Sequence, residues 1–160
     1  MSVGCRPSNA FWTIASSSHC FVVAQHLDVL GDEALAPLGL TTKQWLLLAI
    51  VQKAFDGRHP TLTEAATVYG SSRQNVKAMA RGIEAAGYLR IVPDAEDRRA
   101  LRLVPTDRTA VFASADWRAR EAAFFDRMFG GLTPDEISQL ATLLGRWHQH
   151  LTASAERKSS

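Results

Sequence analysis

The chain has little cysteine: Cys5 and Cys20 are the only two in 160 residues. They have no metal-ligand spacing and supply no disulfide framework, so a reducing cytoplasm is the expected setting. Long apolar runs are also missing. The longest, Trp45 to Val51, falls far short of the roughly 20 residues that a membrane-spanning helix needs. The N-terminus lacks the basic-then-apolar order of an export signal. Net charge is only +2 at neutral pH, and so small an excess does not by itself point to nucleic acid. Signatures of catalysis are absent too: no HExxH pattern, no nucleophile elbow, no phosphate-cradling glycine loop. His148 and His150 stand two apart on a predicted helix and face different sides. No metal, no cofactor and no enzymatic activity are expected.

What is present is a chain 46% hydrophobic and 21% charged, enough for one domain with a sizeable core. One segment, Thr61 to Thr106, is more specific. Thr61 and Glu64 form a capping box, in which hydroxyl and carboxylate satisfy each other's backbone N–H. A short helix with small apolar residues Ala65, Ala66 and Val68 follows and ends at Gly70, suited to the left-handed turn. Ser71 and Gln74 make a second capping box. On the next helix Val76, Met79, Ala80 and Ile83 share one stripe, and Arg73, Lys77 and Arg81 share another. Beyond Gly87, Leu89 and Ile91 alternate with Arg90, and Leu101 and Leu103 with Arg102, around the polar turn 93–99. That is a hairpin.

A Lys/Arg stripe alone is usually a solvated face. Here it follows a short helix and a tight turn and precedes a hairpin, the order of a winged helix-turn-helix. The first turn of the helix carries Ser71, Ser72, Arg73, Gln74 and Asn75. Arg matches guanine, and Asn or Gln matches adenine, in the major groove. Arg73, Gln74, Asn75 and Lys77 are expected at base edges, with Ser71, Ser72 and Arg81 at phosphates. Arg98 and Arg99 at the hairpin tip suit a minor groove, and Asp97 is expected to pair with Arg99 and shape that tip. Between Arg58 and Arg102 the charge is +3, against −1 for the rest of the chain. The excess thus sits in the reading segment.

These residues resemble the multiple antibiotic resistance regulator (MarR) family of bacterial transcription factors, from about Phe11 to Leu151. The run Asp97-Arg98-Arg99 through Val104-Pro105-Thr106 is similar to the family's wing signature. Pro105 replaces its usual Leu and Thr109 its usual Gly. Leu40 to Trp45 resembles the opening of the family's second helix. The resemblance implies a homodimer on pseudo-palindromic double-stranded DNA, a repressor often released by a small molecule.

The expected architecture is mainly α: a single domain over 1–160, a winged helix-turn-helix over 41–106, and dimerisation helices over 8–40 and 107–152. A long first helix runs to Leu35. Thr41 with Gln44 caps an apolar one over Trp45 to Phe55. A further helix spans Thr106 to Phe129, and the last follows the Thr133-Pro134-Asp135-Glu136 box. Ile137, Leu140, Leu144, Trp147 and Leu151 on that last helix leave an apolar stripe for a second copy. Trp12, His19, His26, Trp45 and Trp117 are candidates for an effector pocket taking an aromatic or phenolic molecule, or else core fillers. Hydroperoxide-sensing members of the family carry a reactive first-helix Cys beside Tyr hydroxyls. Cys20 has the position, but Tyr69 and Tyr88 both lie in the reading segment, which favours a small core residue over a redox thiol. A winged helix that binds protein without DNA is the other alternative.

Overall fold

The computed structural model describes residues 9–97 and 99–156, with side chains over 18–97 and 99–153. Helix α1 spans Asn9–Leu35. After a 3-10 turn at Ala36–Leu38, Gly39 takes a left-handed conformation (φ 69°), and α2 runs over Thr42–Lys53. Then come α3 (Leu62–Tyr69), α4 (Arg73–Ala85), β1 (Leu89–Pro93) and β2 (Leu101–Pro105). A second 3-10 segment (Asp107–Ala113) leads to α5 (Ala115–Phe129) and α6 (Pro134–Glu156). The strands are antiparallel, with Ile91 opposite Leu103. Thr61 bridges Arg102 as a one-residue third strand, and Leu103 N–H donates to Pro60 C=O (2.9 Å). The wing is thereby tied to the start of α3. Among the described residues no single helix is long and apolar enough to cross a membrane.

Local chemistry sets most of these boundaries. The capping boxes at Thr41–Gln44, Thr61–Glu64 and Thr133–Glu136 all form. The second box of the reading segment does not. Ser72, not Ser71, caps α4 and accepts from Asn75 N–H. The cause lies in the preceding turn: Gly70 (φ 72°) closes α3 in a Schellman arrangement, and Ser71 N–H donates to Ala66 C=O (3.1 Å). Ser71 belongs to the turn, and the helix starts one residue later. Val68 is also displaced from its expected role, since α3 buries Leu62, Ala65 and Ala66 while Val68 faces out. Helix α2 stops at Lys53, short of Phe55, although Phe55 is itself buried. The helix expected over 106–129 is broken, because Ser114 turns extended and caps α5 through Trp117 N–H (3.2 Å).

The core lies inside the reading segment and its supporting helix. Leu47, Leu48 and Val51 of α2 meet Leu62 and Ala65 of α3, Val76, Ala80 and Ile83 of α4, and Leu89 and Leu103 of the wing. Leu47, Leu48, Leu62 and Ile83 are fully buried, each contributing about 1.5–3 kcal/mol by leaving water. Helix α1 joins this core through its C-terminal end. Thr42 N–H donates to Asp32 (2.6 Å), the Thr42 hydroxyl lies 3.0 Å from Asp28 C=O, and Lys43 pairs with Asp28 (3.0 Å). That backbone N–H is the main reason the Asp32 carboxyl sits below its ordinary pKa.

Gly31 makes the joint possible. A β-carbon there would run into the Thr42 hydroxyl and its methyl group. Thr42 is β-branched and doubly hydrogen-bonded, so it cannot step aside. Gly31→Ala is expected to destabilise the fold by about 1–3 kcal/mol. Thermal melting checks this, at roughly 2–4 °C per kcal/mol for a chain of this size.

Helix α6 is a different case. It makes no extensive contact with any other element among the described residues. Leu143, Leu144, Trp147 and Leu151 are between 45% and 60% exposed. On α1, Phe21 is 78% exposed and Val22 and Val23 more than half. The apolar stripes expected on the terminal helices are thus uncovered within one chain.

Candidate nucleic-acid interface

Helix α4 presents its polar side outward. Ser72, Arg73, Gln74, Asn75 and Arg81 are exposed, and Ser71 and Lys77 half-buried. Its first turn contains no acidic residue, whereas α3, α5 and α6 each carry acid there. The N-terminal end of α4 therefore keeps both its backbone positive potential and Arg73, a combination suited to an anion. Asn75 departs from its expected role in part. Its side-chain amide donates to the Ser71 hydroxyl (2.9 Å) and its backbone N–H to Ser72 (3.2 Å), so it also builds the helix start.

The charges around α4 are sorted. Glu64 accepts from Thr61 N–H (2.7 Å) and pairs with Arg58; the backbone N–H is the leading cause of its lowered pKa. Glu84 accepts from Ile91 N–H of β1 (2.8 Å). Asp94 is buried against the wing, and Asp97 accepts from Arg99 N–H (2.9 Å). By contrast, Arg73, Lys77, Arg81, Arg90 and Arg99 form no ion pair with any described residue. Four of the five acids of this segment, all but Glu96 at the wing tip, accept from internal donors, and most of its bases form no ion pair with a described residue.

The wing tip is built differently from the expectation. Asp97 meets Arg99 through the backbone, not the guanidinium. The shaping carboxylate is Asp94, which sequence reading passed over. It accepts from Glu96 N–H (2.8 Å) and Asp97 N–H (2.9 Å), and pairs with Arg102. The Arg102 guanidinium also donates to His59 C=O (2.6 Å). An Asp bonding to the backbone two and three residues on is a local turn signal and was available in the sequence; its ion pair and the link to His59 were not. Arg99 is exposed at the tip, while Arg98 lies outside the described residues.

The Asp97 and Glu96 backbone donors, foremost, and Arg102 after them hold the Asp94 carboxyl below its ordinary pKa. A depressed carboxylate stabilises the folded state above its unfolded pKa, and this contribution is lost as pH falls through the folded value. Asp94→Asn should therefore weaken the wing at neutral pH and differ progressively less from wild type as the pH drops below the ordinary carboxylate range. Amide exchange of β1 and β2 against pH measures this.

A cavity of about 230 Å³ opens between α1, α2 and α5. Its walls include Leu27, Trp45, Trp117, Phe124, Phe125 and Met128, with Thr42, Arg120 and Glu121 as polar groups. Trp45 and Trp117 are where the sequence placed them. His19 and His26 are exposed on α1 and do not line it, because the first helix meets α2 only through its C-terminal end; the side chain of Trp12 lies outside the described residues. Cys20 is exposed too, so it is not a core residue of its own chain. Among the described residues no three His, Cys, Asp or Glu side chains gather as metal ligands would.

A sequence profile of the MarR family matches residues 38–100, which takes in α2, α3, α4 and β1. The transcriptional activatory protein BadR of Rhodopseudomonas palustris is 33% identical over 81 residues, 51% of this chain and 46% of that protein. The match thus spans less than half of that relative's length. Among solved structures, AbsC, a MarR family transcriptional regulator from Streptomyces coelicolor, superposes with a TM-score of 0.70 at 22% identity, covering 92% of this chain and 99% of that one. A mutant of E. coli MarR complexed with operator DNA gives a TM-score of 0.70 at 21% identity, covering 87% and 97%. At such identities the superposition speaks for the fold, including the terminal helices outside the matched profile. The profile covers the reading segment, and the fold around it is one that this chain shares with solved MarR family regulators.

Proposed function

We propose that this protein is a non-enzymatic regulator of transcription that binds pseudo-palindromic double-stranded DNA as a homodimer in the cytoplasm. Residues 41–106 read the DNA, and 8–40 with 107–152 form the dimer. The single observation that carries this reading is the sorting of charge around α4. Bases on an exposed helix face carry no ion pair to any described residue, while Glu64, Glu84 and Asp94 nearby are held by internal hydrogen bonds. Phosphate binding draws on such unpaired cations. A winged helix used only for protein contacts has no need of that arrangement. The solved relative bound to operator DNA supports the same use of the fold.

Arg73, Gln74 and Lys77 face base edges in this reading, with Asn75 shared between reading and helix start. Ser71, Ser72 and Arg81 lie toward phosphate, and Arg98 and Arg99 toward the minor groove. Repression is the proposed outcome, since a dimer seated on a promoter excludes polymerase; a reporter fusion gives the sign, and the BadR relative bears an activator's name. Selecting bound duplexes from a random pool tests the core of the proposal. An enriched inverted repeat is the expected result, with affinity falling steeply with salt. Unbiased recovery at every salt concentration would overturn it.

The α1/α2/α5 cavity is the proposed effector site. It is smaller than the usual 300–1,000 Å³ of ligand pockets, so one or two aromatic rings is the size it takes. An effector shifts DNA binding only if it prefers one arrangement of the dimer over the other. Titration of salicylate and of 2-naphthol, read by tryptophan fluorescence and DNA release, tests this reading. The Cys20 alternative is favoured by that thiol's exposure, and release of DNA by peroxide from wild type but not from Cys20→Ser would establish it instead.

A further inference from the structure

The cavity wall and the recognition helix are joined by a line of rings. Trp117, in the wall, meets Phe112 edge-to-face (5.1 Å between centroids, 86°). Phe112 in turn tilts against Tyr88 (5.6 Å, 40°), and the Arg108 guanidinium lies over the Tyr88 ring (4.8 Å). Tyr88 stands at a vertex of the reading segment. Its N–H donates to Ile83 C=O (3.1 Å) and closes α4, and its C=O accepts from Thr106 N–H (3.1 Å) where β2 ends. The Thr106 hydroxyl also donates to Gly87 C=O (2.7 Å). Any displacement of the Tyr88 ring therefore acts on the end of the recognition helix and on both ends of the wing.

Packing along this line is uneven. Tyr88 is 1% exposed and fixed by backbone bonds on both sides. Trp117 is buried as well, yet it borders three separate hollows, and Phe112 borders one of them. Protein interiors are normally close-packed, so rings edged by empty space are the ones that shift most cheaply. The break at Ser114 matters here. One continuous helix over 106–129 would move as a rigid rod; with Ser114 extended, the 3-10 segment carrying Phe112 and the helix carrying Trp117 are joined only at the hydrogen-bonded Ser114 corner and through the ring contact.

We propose that Phe112 is a positioning residue which transmits the state of the α1/α2/α5 cavity from Trp117 to Tyr88, and so sets how α4 and the wing are presented to DNA. This rests on the DNA-binding and effector readings above and names the route between the two sites.

Filling the cavity from its own wall avoids the need for a known effector. Ala34 lines it, and Ala34→Leu places an isobutyl group in the space. DNA affinity is measured by anisotropy on a duplex selected as above, for wild type, Ala34→Leu, Phe112→Leu and the double variant. Phe112→Leu keeps an apolar side chain and removes the ring. The expected result is a change of about fivefold or more on Ala34→Leu in the wild-type background, as a coupling of ordinary size gives. With Phe112→Leu present, that change falls below about twofold, the floor of a resolvable coupling. Circular dichroism and light scattering verify that each variant is folded and assembled; Phe112→Met replaces Phe112→Leu if the latter is not. An equal change in both backgrounds overturns the role of Phe112 and leaves the effector reading standing. No change in either background removes the effector reading and this inference together.

Discussion

Leu144→Glu should convert the protein from a species of twice 17.5 kDa to one of 17.5 kDa in light scattering at micromolar concentration, with loss of operator binding. The expectation follows from what α6 lacks. A helix of 23 residues with little packing against its own chain has only local interactions to hold it, and isolated helices are marginal in water. Its stripe of Leu140, Leu143, Leu144, Trp147 and Leu151 is exposed, a continuous apolar surface of the sort that marks an interface. A second copy brings the same stripe and the same uncovered α1, as a two-fold contact requires. Because Leu144 is 48% exposed in one chain, a carboxylate there costs the isolated fold little, within about 0.5 kcal/mol. Buried unpaired in a dimer, the same charge costs several kcal/mol. The two effects separate: the core of α2, α3, α4 and the wing should stay folded while assembly fails. A wild-type monomer, or a Leu144→Glu variant that still dimerises, would contradict the proposed assembly. DNA binding fails with the dimer because two recognition helices must sit about 34–36 Å apart to enter successive major grooves.

What the sequence made legible was what short-range chemistry decides. Thr41, Thr61 and Thr133 announced their helices because a capping box is complete within four residues. The turn at Gly70, the buried stripe Val76–Ala80–Ile83 and the alternation of Leu89 and Leu103 are equally local. The errors lie where two local choices were nearly equal or where a distant partner decides. Ser71 and Ser72 are equivalent as caps until the Schellman turn at Gly70 takes the Ser71 N–H. A helix over 106–129 was reasonable by periodicity, but Ser114 breaks it next to the rings of Tyr88, Phe112 and Trp117, which no window of that length contains. Arg102, paired with Asp94, donates to His59 C=O, 43 residues away, so the wing's true anchor was invisible beside the nearer Asp97–Arg99 pair. The cavity proposed for an effector shows the same split: Trp45 and Trp117 line it from α2 and α5, whereas His19 and His26 are exposed on α1 away from it.

Arg73→Ala and Arg81→Ala should separate reading from attraction, although the two residues lie on the same helix. Arg73 is the first residue of α4, exposed and without an ion pair to any described residue, at the end that a helix-turn-helix directs into the major groove. If it makes a bidentate contact to guanine, its removal costs about 1–3 kcal/mol and relaxes preference at one base pair in each half-site. In a dimer both half-sites lose the contact, so an inverted repeat should weaken at two symmetric positions. Arg81 is exposed two turns further along α4, among the residues that the proposal turns toward phosphate. Removing an arginine that reaches phosphate instead of a base edge leaves sequence preference unchanged and reduces the salt slope by about one per contact. Repeating the duplex selection with each variant, and titrating the wild-type site at several salt concentrations, gives both quantities. An Arg73→Ala protein that selects the same sequence as wild type, with affinity lowered equally on all duplexes, would place Arg73 on the backbone and leave Gln74 and Lys77 as the residues that read.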